Sequence, residues 1–149
     1  MSIILRDING KSHESRFNTK ENKMKKDGKF LRVIVVDDEP LILMFFSRFL
    51  GKKALVKTTS TAEEALVDIR EQPYDLCFLD VNLPGMTGLD AMKIINEQFP
   101  NTKVAIMTAS FLDETLKKQV EDFAYAFIPK PFGISDIEGV VEKVQVAIN

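Results

Sequence analysis

Two aspartates stand side by side directly after a short apolar run. Asp37 and Asp38 follow Val33–Val36 in the segment VIVVDDEP, and a third acid, Glu39, precedes Pro40. Two carboxylates about 4 Å apart repel each other by roughly 1 kcal/mol in water and by about 4 kcal/mol at a partly buried site. A bound hard divalent cation such as Mg²⁺ would offset this repulsion, so the adjacent pair indicates a candidate cation site.

Other chemically useful side chains stand at the ends of later apolar segments. Asp80 follows LCFL, Thr108 ends KVAIMT, and Lys130 follows FIP. A carboxylate can attack phosphorus and form an aspartyl phosphate, while a hydroxyl and an ammonium can hold phosphoryl oxygens. Clustered carboxylates without histidine or cysteine ligands favour Mg²⁺, which binds a few carboxylates together with a substrate phosphate. These residue types together indicate phosphoryl transfer.

Apolar strands alternate with helices through the rest of the chain. The pattern predicts strands over residues 31–36, 54–58, 75–79, 103–108 and 124–128, and helices over 40–50, 61–70, 89–99, 113–123 and 135–148. Pro40 suits the first turn of a helix, and Thr61 and Glu64 have capping-box spacing. Ser135 is expected to cap the last helix.

This (βα)₅ pattern predicts an α/β fold. Continuous apolar strands separated by helices imply a parallel sheet that is covered on both faces. The natural solution is a doubly wound five-stranded parallel sheet of order 2-1-3-4-5, the flavodoxin-like arrangement, whose ligand crevice lies at the carboxyl ends of the strands. In that order the groups at the strand ends converge, although they are far apart in sequence.

Charge divides the chain into two parts. Residues 1–29 carry eight Lys/Arg and four Asp/Glu, a net charge of +4, whereas residues 30–149 carry twelve and eighteen, a net charge of −6. The basic segment lacks apolar periodicity and is predicted to be a flexible leader, and Met24 is a candidate for the natural start. Residues 30–149 form the predicted domain, whose acidity argues against a nucleic-acid partner.

Two further features concern location. The longest apolar runs fall short of the roughly 18 residues that a membrane span needs, so no membrane partner is expected. The single cysteine, Cys77, lies inside an apolar run; it is expected to be a packed thiol, and the cytoplasm is the expected compartment.

With these motifs the sequence resembles the receiver domain of bacterial two-component response regulators. The motifs VIVVDDEP, DLCFLDVNLPGMTGL, AIMTAS and FIPKPF occur in the family's order, and the resemblance covers about residues 31–148. It implies that Asp80 is the phosphoacceptor and that Asp37, Asp38, Asp80 and the main-chain carbonyl of Asn82 hold Mg²⁺.

The same resemblance implies roles for residues near the later strand ends. Thr108 and Lys130 would contact the phosphoryl group, and the peptide bond between Lys130 and Pro131 would be cis. Phe127 would be the aromatic switch residue that acts with Thr108. As a phenylalanine it can rotate and pack, but it has no hydroxyl with which to bond a backbone group.

The function implied is that of a signalling phosphoacceptor in phosphorelay signal transduction. The phosphoryl group would come from a sensor histidine kinase or a histidine phosphotransfer protein, and phosphorylation would switch binding to an unknown downstream partner. Such a protein catalyses only its own phosphorylation and dephosphorylation. Whether the chain is a single-domain regulator or a fragment of a larger regulator or hybrid kinase stays open.

Two other functions use part of the same residue set or fold. One is a small phosphatase of the haloacid dehalogenase type, which also uses an aspartyl nucleophile and Mg²⁺; its nucleophile lies in an Asp-x-Asp motif after strand 1, whereas the acids here are adjacent. The other is a degenerate receiver that binds partners without phosphorylation, against which the intact set of acids, Thr108 and Lys130 argues.

The first predicted helix is apolar nearly all round, with six apolar residues in Leu41–Phe46. A surface helix normally shows a polar stripe. Placing Leu41 and Phe45 on one inward row and Ile42 and Phe46 on the next leaves Leu43 and Met44 outermost. Exposed apolar residues beside a phosphorylation site predict a patch that contacts the histidine-bearing partner or forms a homodimer.

Overall fold

The computed structural model describes residues 30–109 and 111–148 in full, together with the backbone of short strands before them. Those strands form two antiparallel pairs, Ile3–Arg6 with Ser12–Ser15 and Lys25–Lys26 with Lys29–Phe30. The flexible nature of residues 1–29 stays a prediction. Met24, the candidate start, lies outside the described residues.

The described domain alternates strands and helices as the sequence predicts. Its strands are β1 (Arg32–Val36), β2 (Leu55–Thr59), β3 (Leu76–Asp80), β4 (Lys103–Thr108) and β5 (Ala126–Pro129). Its helices are α1 (Pro40–Leu50), α2 (Ala62–Glu71), α3 (Gly88–Gln98), α4 (Glu114–Phe123) and α5 (Ile134–Ile148). All neighbouring strands pair in parallel, in the order β2-β1-β3-β4-β5. The predicted fold and strand order are therefore confirmed.

Each face of the sheet carries its own core, which explains why the central strands are continuously apolar. Along β1, Val33 and Val35 belong to the core cluster that includes residues of α1 and α5, whereas Ile34 and Val36 belong to the cluster that includes residues of α2, α3 and α4. Successive side chains of a strand point to opposite faces, so every residue of such a strand has to be apolar.

Helix starts agree with the sequence at α2 and differ at α5. The Thr61 hydroxyl accepts a hydrogen bond from the Glu64 backbone N–H at 3.2 Å, as its spacing predicts. Ser135 does not cap α5, because the Asp136 carboxylate accepts from the Gly133 N–H at 2.8 Å and the helix begins at Ile134. The predicted cis peptide between Lys130 and Pro131 is present.

The predicted phase of α1 is confirmed for the inward Phe46 and the exposed Met44, and it is wrong for Leu41 and Leu43. Leu41 is the most exposed of its apolar residues at 76%, and Met44 is 46% exposed, whereas Leu43 is half-buried and packs on the core. Phe46 faces the sheet, as predicted, and the angles around the helix from Phe46 account for the two errors. At about 100° per residue, Leu43 lies about 60° from Phe46 around the helix, while Leu41 and Met44 lie on the far side.

Within the described part of the chain, none of the helices has the length and apolarity that crossing a membrane would require.

Candidate functional site

Three carboxylates meet at the carboxyl edge of the sheet. Asp37 and Asp38 follow β1, and Asp80 is the last residue of β3, which pairs directly with β1. One carboxylate oxygen from each of the three lies within 4.8 Å of the others. The fold therefore assembles the acidic cluster that the strand ends predict.

Lys130 reaches into this cluster from the end of β5. Its Nζ lies 2.7 Å from Asp37 Oδ2, 3.1 Å from Glu39 Oε1 and 3.7 Å from Asp80 Oδ1. Partial burial alone would lower the pKa of Lys130, but hydrogen bonds to Asp37 and Glu39 and the nearby Asp80 charge raise it overall. The side chain is therefore a permanent ammonium, 93 positions away from Asp37 in sequence.

Asp37 is the buried member of the adjacent pair, and both of its oxygens have donors. Oδ1 accepts from the Glu39 backbone N–H at 2.9 Å, and Oδ2 accepts from Lys130 Nζ. Asp38, by contrast, is exposed. The repulsion within the pair is therefore reduced by one internal ammonium and by solvent around the second carboxylate.

Asp80 lies in an environment that disfavours its charged form. It is only 4% exposed, and burial, followed by the negative charge of Asp37, raises its pKa from 3.8 to about 6. Lys130 and a hydrogen bond from the Asn82 backbone N–H act in the opposite direction. A cation at this position would favour the ionised, nucleophilic form of the carboxylate.

The remaining predicted residues surround this cluster. Thr108 is buried at the end of β4, next to β3, and its carbonyl accepts from the Lys130 N–H at 2.8 Å. Asn82 is exposed in the loop after Asp80. Phe127, on β5, is 44% exposed and lines a cavity of about 270 Å³ beside α4. The parts assigned to the Asn82 carbonyl and to Phe127 stay predictions.

The sequence motifs did not assign a role to Glu39, which contacts Lys130 directly. The sequence feature that could have indicated a role for Glu39 is its position as the third acid of the DDE run. Glu39 is also the residue that precedes α1, so its backbone N–H is free to bond Asp37.

The part of the chain that carries this cluster matches a known protein family. The model of the response regulator receiver domain family matches residues 33–142, which include every residue of the cluster. The chain is a response regulator receiver domain.

Similar proteins agree with this assignment. The chain is 31% identical to response regulator protein PilR of Pseudomonas aeruginosa over 111 residues, which are 74% of this chain and 25% of PilR. It is 32% identical to a BeF3-activated receiver domain of DrrB, with a TM-score of 0.69, covering 76% of this chain and 96% of that one. A CheY-like receiver domain protein from Methanospirillum hungatei JF-1 is 26% identical, with a TM-score of 0.73 and coverage of 80% and 98%. The chain thus spans about a quarter of PilR and nearly all of the isolated receiver domains.

Membership of this family favours the signalling interpretation over the phosphatase alternative. Receiver domains are in general signalling modules rather than enzymes, and they interact with histidine kinases and with downstream effectors. They also generally bind Mg²⁺ at an acidic pocket. The receiver domain described here has such a pocket in its three aspartates.

The donor set of this pocket fits Mg²⁺ in particular. The cluster offers carboxylate oxygens and contains no histidine or cysteine, and hard oxygen ligands are those that Mg²⁺ prefers. The raised pKa of Asp80, caused in part by Asp37 and Asp38, indicates negative charge that a bound cation would offset.

Proposed function

We propose that this receiver domain accepts a phosphoryl group on Asp80 from a phosphohistidine of a sensor kinase or phosphotransfer protein, in a Mg²⁺-dependent reaction. The observation that carries the proposal is the position of Asp80 within 4.8 Å of two other carboxylates and 3.7 Å from the Lys130 ammonium. The receiver catalyses only its own phosphorylation and dephosphorylation. Phosphorylation then alters its binding to a downstream partner, in the cytoplasm.

The reaction requires one bond to form and one to break. A carboxylate oxygen of Asp80 attacks phosphorus, the phosphorus–nitrogen bond of the donor breaks, and the bonding electrons leave with the imidazole nitrogen. Mg²⁺ held by Asp37, Asp38, Asp80 and the Asn82 carbonyl would neutralise charge on the phosphoryl oxygens.

The other site residues hold the transferred group. Lys130 stays charged and lies beside Asp80, so its ammonium can bind a phosphoryl oxygen as a point charge. Thr108, at the end of the neighbouring strand, can donate a hydrogen bond from its hydroxyl to another phosphoryl oxygen. Since phosphoryl transfer depends mainly on positioning and charge neutralisation, these groups would act together with the bound cation in the step.

The outer face of α1 is the proposed docking surface for the histidine-bearing partner. The exposed apolar centre of this face consists of Leu41 and Met44, with Leu41 in place of the predicted Leu43. A shallow cavity of about 350 Å³ lies on this face, and its lining combines apolar and basic side chains: Leu41, Met44, Phe45, Arg48, Phe49 and Lys52. Phe45 also lines a second cavity that includes Lys130, which connects the face to the phosphorylation site.

Labelling with a small phosphodonor tests the central proposal. Incubation with acetyl phosphate or beryllofluoride and Mg²⁺ should modify the wild-type protein stoichiometrically, as read by intact-mass spectrometry or by NMR. Asp80→Asn should not be labelled. A variant that is labelled at the wild-type rate would overturn the assignment of Asp80.

A further inference from the structure

The loop that carries Asn82 is tied to a helix that the site motifs do not include. Glu63, in the first turn of α2, accepts a hydrogen bond at Oε1 from the Met86 backbone N–H at 2.8 Å. The two residues are 23 positions apart in sequence. The hydrogen bond lowers the pKa of the exposed Glu63 carboxyl, which therefore stays ionised near neutral pH.

Gly85 makes this contact close. Its backbone adopts a φ of 75°, a conformation that side-chain-bearing residues rarely adopt. A Cβ at this position would lie 2.7 Å from Glu63 Oε1. The turn and the carboxylate are therefore fitted to each other, and a larger residue at position 85 would displace Glu63.

Other hydrogen bonds fix the start of the same loop to the sheet and join its two ends to each other. The Val81 N–H donates to the Met107 carbonyl at 3.0 Å, and the Gly88 N–H donates to the Val81 carbonyl at 3.0 Å. The Asn82 N–H donates to the Asp80 carboxylate. Between these ends, the bond from Met86 to Glu63 ties the backbone of the outer turn to α2, and the side chains of Leu83 and Met86 pack on the core that includes α2.

We propose that Glu63 is a positioning residue for the metal site. By holding the turn at Gly85 and Met86, it fixes the path of the loop and thereby positions Asn82, whose N–H bonds the Asp80 carboxylate, for its proposed part as a metal ligand. This inference rests on the proposed function, since it requires that the Asn82 carbonyl binds Mg²⁺. Protein ligands that are already held in place bind a metal more tightly, because the loop that carries them loses less conformational freedom on binding.

Two substitutions of Glu63 and one neighbouring control test the proposal. Glu63→Ala removes the acceptor, Glu63→Gln keeps an acceptor oxygen without the charge, and Glu64→Ala removes an exposed carboxylate from the same helical turn. Glu63→Ala and Glu64→Ala each remove one negative charge near the start of α2, so a difference between them reports the lost hydrogen bond rather than the lost charge. Two-dimensional NMR of amides in the full chain can read both Mg²⁺ affinity and exchange of the Met86 amide.

Glu63→Ala should weaken Mg²⁺ binding by about three- to tenfold, the equivalent of one lost hydrogen bond, and should speed exchange of the Met86 amide. Glu63→Gln should recover most of the affinity, and Glu64→Ala should bind as the wild type does. If the wild type binds Mg²⁺ and Glu63→Ala binds it equally well, the positioning proposal is overturned while the proposed function stands. If the wild type itself does not bind Mg²⁺, the proposed function fails and this inference fails with it.

Discussion

Replacing Asp80 by asparagine should stabilise the metal-free receiver domain at neutral pH. Asp80 is nearly fully buried, and its pKa is raised to about 6 from 3.8 by burial and by the charge of Asp37. The folded protein therefore holds the proton of this carboxyl more tightly than the unfolded chain does. Asparagine has nearly the same shape and is always neutral, so it removes the unfavourable charge.

The sign and size of the effect follow from proton linkage. A raised pKa gives a stability contribution that is fully present below about pH 4 and is lost as the pH rises through about 6. A difference of about 2 pKa units corresponds to a ceiling of about 3 kcal/mol, at roughly 1.4 kcal/mol per unit. Because water and Lys130 can rearrange around the charge, we expect Asp80→Asn to gain about 1–3 kcal/mol at pH 7.5 and almost nothing at pH 4.

Urea unfolding with EDTA present, at several pH values between 4 and 7.5, measures this difference. The exposed carboxylate of Glu97, on α3, provides the control variant Glu97→Gln for the loss of one negative charge. Addition of Mg²⁺ should stabilise the wild type more than Asp80→Asn and so reduce the difference between their unfolding free energies. A difference between Asp80→Asn and wild type that stays constant from pH 4 to pH 7.5 would refute the electrostatic reasoning.

Three further predictions concern the metal site, α1 and the core. Asp38→Ala should raise the melting temperature of the metal-free protein and weaken Mg²⁺ binding, since it removes one charge from the cluster; calorimetry that finds unchanged affinity would exclude a ligand role. Leu41→Glu should change the unfolding free energy by no more than about 0.5 kcal/mol, and it should slow phosphoryl transfer from the partner kinase but not from acetyl phosphate. Leu43 is half-buried, so Leu43→Glu should destabilise the fold by about 1–3 kcal/mol. Equal stability of the two variants would contradict the observed helix phase. Burial raises the pKa of Cys77 to about 12, so a thiol reagent should modify the native protein far more slowly than the urea-unfolded protein, and equal rates would show that the thiol is accessible.

The strand ends could be predicted from the sequence because burial on both faces leaves a simple pattern. A strand that packs against helices on each side is apolar at every position, so the first polar residue marks its end. Asp37 and Asp80 are residues of this kind, whereas Lys130 follows the half-exposed edge strand β5; the strand order then brings the three together.

The phase of α1 could not be predicted in the same way. A helix with apolar residues in every direction has no polar stripe from which its inward face can be identified. The phase is set by tertiary packing, in which the Phe46 ring lies 4.8 Å from the ring of Phe78 on β3. The sequence alone does not indicate which phenylalanine of the helix makes that contact.

Glu39 and Glu63 were missed for a related reason. Each is an exposed acid near a helix start, where such residues are common because they interact well with the helix dipole. Their contacts are with Lys130, 91 positions away, and with Met86, 23 positions away. Only the folded arrangement of the loops distinguishes them from ordinary surface glutamates.

The bonding of Lys130 also bears on the order in which ligands arrive. Four carboxylates and one ammonium at this edge of the sheet, Asp37, Asp38, Glu39, Asp80 and Lys130, carry a formal charge of −3 when all are ionised. A phosphodonor is itself an anion, so it is repelled by the metal-free receiver, and its encounter rate falls accordingly. One divalent cation reduces the formal charge to about −1. On the proposed function, we expect the cation to bind first and the phosphodonor second, so that the Mg²⁺ concentration sets how often a donor reaches Asp80.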